Sequence, residues 1–126
     1  MLKNEDLQFE KKDRIREEIK RSESSRMVML GHCGMKKFPN QIFDETSVDK
    51  ISRLDFSHNY IDALPERIGE FKNVKEVWLF NNPLVDDLPV EMHQFTKMEI
   101  LDIRKTNVSQ LKLEFCSWKN LKEMVI

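Results

Sequence analysis

Three consecutive stretches of this chain carry the same apolar residues in the same slots, and that repetition limits the available folds more than any other feature. From Ile51 the order is Ile51, Leu54, Phe56, Ile61, Leu64, Ile68, Phe71. From Val74 it is Val74, Val77, Leu79, Leu84, Leu88, Met92, Phe95, and from Met98 it is Met98, Leu101, Ile103, Val108, Leu111, Phe115, Trp118. The starting residues Ile51, Val74, Met98 and Leu121 are spaced by 23, 24 and 23 residues. A weaker copy precedes them over SSRMVMLGHCGMKKFPNQIF, with Val28, Leu30, Met35, Phe38 and Ile42 in the same slots. It runs 26 residues from Ser25 to Ile51, which implies a small insertion around Asp44–Asp49. LKEMVI at 121–126 repeats the opening of the unit. A fixed period of this length means stacked supersecondary units, each burying its apolar face only against its neighbours.

Within a unit, the alternation Leu54-x-Phe56 predicts a short strand with one buried face. An inward polar residue must then satisfy backbone groups at the turn that follows. Asn59 and Asn82 are the candidates, with Cys33 in the same slot of the first unit and Thr106 in that of the fourth. Thr106 departs from the pattern and is expected to weaken this ladder. Pro39, Pro65 and Pro89 each follow an apolar residue and bar regular geometry, turning the chain toward the far side. The spacings Leu64–Ile68–Phe71 and Leu111–Phe115–Trp118 predict a short helical turn there.

These units resemble the leucine-rich repeat, L-x-x-L-x-L-x-x-N/C-x-L, over about residues 25 to 126. The pairs Leu64–Pro65, Leu88–Pro89 and Phe38–Pro39 narrow the resemblance to the intracellular "LP" class of Scribble-like and Ras-binding scaffold proteins. The resemblance implies an α/β solenoid: four repeats plus a terminal strand, parallel strands on a concave side and short helical turns outside. It also implies binding of protein partners.

The 126 residues are 40% hydrophobic and 34% charged, with 21 basic and 22 acidic side chains. So even a balance argues against nucleic acid or an anionic membrane as partner. No apolar run approaches the ~20 residues that span a bilayer, and the N-terminus lacks the apolar stretch of a signal peptide. Cys33 and Cys116 lie far apart and suit a reducing compartment. An intracellular protein, cytoplasmic by default, is expected.

Residues 1–24 read as a charged helix, with Glu10–Arg14, Arg14–Glu18 and Glu17–Arg21 at i,i+4 spacing. Leu7, Ile15 and Ile19 form a thin apolar face, Phe9 lies off it, and the Ser22–Ser25 cluster ends the helix. Such a helix either caps the first coil or serves as an arm that docks on a partner. After Met124 and Ile126 no capping segment follows, so either a partner covers the last strand, or the chain is a truncated product, or the strand frays; a small subunit of a larger assembly fits this ending best.

Outward strand positions form the binding surface expected of such a solenoid. The period sets Trp78 and Phe80 outward on one strand, beside Ile100 on the next, about 5 Å away. Arg53, Asp55, Asp102 and Arg104 complete the face as charged surroundings. An aromatic centre with a charged rim is the composition of a binding hot spot. His32 and His58 occupy equivalent slots on successive coils, but with Cys33 turned inward no metal set assembles. His93 and Cys116 fall on the convex side as structural residues.

No Ser/His/Asp or Cys/His spacing argues for nucleophilic catalysis. Only 3 glycines are present, with no phosphate-cradling loop, and the Asp86–Asp87 pair sits in a turn without companion groups. The sequence therefore reads as a non-catalytic protein-binding module without cofactor. It is either a subunit or adaptor of an assembly, or a free regulator that occludes an enzyme's surface.

Overall fold

The structure, a computed structural model, describes residues 10–84 and 87–126. Leu7, Phe9 and Asp86 lie outside these. The fold begins with helix α1 (Lys12–Ser25), which runs directly into strand β1 (Met27–Met29). Four further strands of three residues follow: β2 (Arg53–Asp55), β3 (Glu76–Trp78), β4 (Ile100–Asp102) and β5 (Glu123–Val125). They form one parallel sheet in the order β1-β2-β3-β4-β5.

Val28, Leu54, Val77 and Leu101 sit mid-strand and are fully buried. In register they pair as Val28↔Leu54, Leu54↔Val77 and Val77↔Leu101, ending on the half-buried Met124. Since side chains alternate across a sheet, burying this column turns its neighbours on each strand to the opposite face. The strand-to-strand steps match the sequence period. The longer first step accommodates helix α2 (Ile42–Glu45) and a 3-10 turn, Val48–Lys50, where the insertion was expected.

The far side of the later coils is built from 3-10 turns, Glu66–Glu70, Val90–Gln94 and Leu113–Ser117. Pro65 and Pro89 precede the first two with ψ of 155° and 142°. Lys112 adopts the same extended conformation before the third, with ψ 149° and no proline, while its Nζ donates to the Leu88 carbonyl at 2.6 Å. Packing of the turns, then, sets this geometry, and proline only favours it. Phe71, Phe95 and Trp118, in the same slot of successive units, are all buried, and the Trp118 ring stacks on Phe115 at 4.2 Å. Leu111, read as a core position, is instead 47% exposed, because no further coil among the described residues covers it.

Helix α1 buries Ile15, Ile19 and Ser22 and packs beside β1. The Lys11 N–H donates to the Cys33 carbonyl at 2.8 Å, and the Arg14 guanidinium to the His32 carbonyl at 3.3 Å. Its described ion pairs are Arg16–Asp13 and Arg21–Glu18, at i,i+3, in place of the i,i+4 set expected from spacing. Arg14 leaves that set because it reaches across to the first coil. No helix among the described residues is long and apolar enough to cross a membrane.

Candidate protein-binding face

The turn that closes each strand is built from the chain's own polar side chains. Asn59 Nδ2 donates to the carbonyls of Leu30, Phe56 and Ser57, and its Oδ1 accepts from the N–H groups of Cys33 and Met35, all within 2.9–3.1 Å. Asn82 bonds the Phe56, Leu79 and Phe80 carbonyls and the Ile61 N–H. The hydroxyl of Thr106 donates to the Ile103 carbonyl at 2.7 Å and accepts from the Val108 N–H at 3.4 Å. A hydroxyl has one proton where an amide has two, so it links fewer groups and reaches no neighbouring coil. Cys33 is fully buried with its Sγ 3.6 Å from the Gly31 carbonyl, and burial pushes its thiol pKa up, against the opposing pull of Arg14 and Lys11.

Residue 8 of each of the four units lies within this turn, just before the ladder residue, in the left-handed region: His32, His58, Asn81 and Lys105 have φ between 53° and 57°. Their side chains form a column at the end of the sheet. The His32 and His58 rings stack with centroids 4.0 Å apart and planes 12° from parallel. Lone pairs of stacked rings lie in separate parallel planes and do not converge on one ion, so this pair is no chelate. Asn81 Nδ2 donates to His58 Nδ1 at 2.9 Å, leaving the neutral ring's proton on Nε2. Burial, then the neighbouring His32, lowers the His58 pKa, with Lys105 adding to the effect and Asp55 opposing it.

Trp78 and Phe80 lie on the sheet face, half-buried, with ring centroids 6.5 Å apart. Phe80 is placed two residues beyond Trp78, just past the end of β3. The Phe80 ring meets the His58 ring edge-on at 5.0 Å, so the aromatic surface continues from Trp78 through Phe80 to the two histidines. Directly opposite Trp78 across β4 stands Asp102; Ile100 is opposite Glu76 and reaches Trp78 diagonally.

Arg53 and Arg104 do not form a free rim. The Arg53 guanidinium lies over the Trp78 ring at 4.8 Å and pairs with Glu76 at 2.6 Å. Arg104 lies over Phe80 at 5.2 Å and pairs with Asp102 at 2.7 Å, which is why Asp102 is buried although its slot faces outward. Asp55 and Asp102 also close their own turns, accepting from the N–H groups of Ser57 and Arg104 at 2.9 and 3.1 Å. Trp78 fills that slot on β3 without a carboxylate. A cavity of about 330 Å³ opens beside it, lined by Trp78, Phe80, Ile100, Asp102, Arg104, Glu123 and Val125.

Several contacts were missed from sequence. Glu76 and Glu123 fall in the outward columns, but nothing in the period says which charges pair. Asn73 and Asn120 make a second set of bonds between coils, to the carbonyls of Asp49 and Thr96 at 2.7 and 2.8 Å. Asp87, read as having no companion groups, accepts from the N–H groups of Ser109 and Gln110 on the next coil, which lower its pKa. His93 and Cys116 are exposed on the 3-10 side. Among the described residues no group of three or more His, Cys, Asp or Glu gathers to hold a metal ion.

No family model matches the chain. Over 82 residues it is 32% identical to leucine-rich repeat serine/threonine-protein kinase 1 of Mus musculus, a match that takes in 65% of this chain and 4% of the kinase. A leucine-rich-repeat protein of Leptospira interrogans has a similar structure, with a TM-score of 0.66 over 86% of this chain and 33% of that one, at 23% identity. With the geometry above, these likenesses show a leucine-rich-repeat fold. Folds of this kind typically serve protein–protein contact.

Proposed function

We propose that the chain is a non-catalytic protein-binding module of the intracellular "LP" repeat class, a subunit or adaptor that binds its partner through the sheet face. The observation that carries this reading is the aromatic run Trp78–Phe80–His58–His32 on that face. Asp55 and Asp102 fill the Trp78 slot on the flanking coils, and Ser57 and Arg104 fill that of Phe80. The repeat core therefore needs no ring at either place, and large aromatics in a charged setting suit a partner's hot spot. The kinase similarity lies in repeat-bearing sequence and brings no catalytic residues with it.

The test is capture of native partners by the wild-type chain and by Trp78→Ala. The variant is expected to keep its fold and lose about 2 kcal/mol or more of affinity. Retention of every partner at unchanged affinity would overturn the assignment and move the search to the β5 edge.

A further inference from the structure

The cavity beside Trp78 has a mixed chemistry that specifies more than a protein surface in general. Its apolar lining is aliphatic, from Ile100 and Val125, and aromatic, from Trp78 and Phe80. Its polar lining is two carboxylates, Asp102 and Glu123, against one guanidinium, Arg104. That guanidinium is engaged with Asp102 through Nε at 3.1 and 3.2 Å and Nη2 at 2.7 Å. None of the ion pairs among the described residues involves Glu123, which is exposed at the cavity edge. The cavity thus keeps a net negative charge beside an electron-rich ring. Both aromatic rings already hold a guanidinium of the chain's own at 4.8 and 5.2 Å, so cations are accepted here.

We propose that this cavity receives a lysine or arginine side chain of the protein partner. The inference rests on the sheet-face reading above and names the chemistry of its central contact. The aliphatic stem lies along Ile100 and Val125 against Trp78, and the charged head pairs with Glu123, the lining carboxylate that Arg104 leaves without an ion pair. An acidic side chain would meet the unpaired carboxylate of Glu123. A neutral aliphatic one would desolvate Glu123 with nothing in return.

The test uses the full chain, labelled with nitrogen-15, and capped pentapeptides Gly-Ser-X-Ser-Gly with X lysine, arginine, norleucine or glutamate. The reporter is the indole resonance of Trp78; that of Trp118, whose Nε1 donates to the buried Met92 carbonyl at 2.8 Å, controls for folding. The lysine and arginine peptides are expected to move Trp78 and leave Trp118 still, with affinity falling about threefold in Glu123→Gln. An equal response to norleucine, a stronger one to glutamate, or none to any peptide would overturn the proposal. If Trp78→Ala nonetheless loses its partner, the sheet-face reading stands and only the basic contact falls. If Trp78→Ala keeps its partner while basic peptides still move the Trp78 resonance in the wild type, the sheet-face reading falls and the cavity's preference survives.

Discussion

The buried amides show how single residues hold one coil to the next. Asn59 links two coils through five hydrogen bonds, and Asn82 does so through four. Removing either strands several buried backbone groups, each at about 1–3 kcal/mol, whereas Thr106 serves two groups of its own coil. Asn59→Ala and Asn82→Ala are therefore expected to lower the denaturant midpoint more than Thr106→Ala at unchanged m-values; equal losses would remove the ladder argument. Gly69 acts by size. A Cβ there would lie 2.6 Å from the Glu91 carbonyl oxygen, where two 3-10 turns pack, and backbone cannot step aside as a side chain can. Gly69→Ala is expected to cost about 1–3 kcal/mol by overpacking. A gain in melting temperature, as from a simple loss of unfolded-state entropy, would show that the two turns can separate. Neither the five-bond reach of Asn59 nor the contact at Gly69 was legible beforehand. A period says that a slot is polar or small, and the partner on the next coil appears only once the coils are packed.

Among the elements, α1 makes the clearest demand. Its Ile15 and Ile19 are buried against the first coil, so Ile15→Ala is expected to cost about 2–4 kcal/mol and to lower the melting temperature. An unchanged melting temperature would identify α1 as an arm whose contacts are marginal. A helix here was legible from its charge density and apolar stripe, but not its bounds: it begins at Lys12 and takes in the Ser22–Ser25 cluster expected to end it, closing at Arg26. Nor were its ion pairs, since Arg14 leaves the helix surface for the His32 carbonyl. One member of the residue-8 column, His58, has a shifted pKa. The groups facing His58 are His32, Asn81, Phe80, Asp55 and Lys105. Its folded pKa is lowered, so between that value and the ordinary histidine value the unfolded chain binds more protons than the folded one. Stability at this site therefore rises with pH and is lost on acidification through the unfolded-state pKa. Chemical denaturation from pH 8 to pH 5 is expected to show a smaller acid loss for His58→Gln than for the wild type; identical profiles would contradict it.

For the whole molecule, the apolar period gave strand number, parallel order and step length, because a one-residue slip would turn every buried strand residue outward. The same period placed Trp78 and Phe80 side by side with Ile100 near. What it left open was the state of the charges: Arg53 and Arg104 lie over the rings, and Asp102 is covered. Mutating either arginine is thus expected to uncover a ring as well as remove a charge, changing dissociation along with salt dependence. The adaptor and regulator readings divide by size-exclusion chromatography, an obligate subunit aggregating alone and a regulator running as a monomer. Whether the sheet face meets the partner can be read from amide hydrogen exchange with and without a captured partner. Slowed exchange is expected across Glu76–Phe80 and Ile100–Arg104, with Glu66–Glu70 and Val90–Gln94 unchanged. Slowing confined to those 3-10 turns, or to Glu123–Val125 alone, would contradict it.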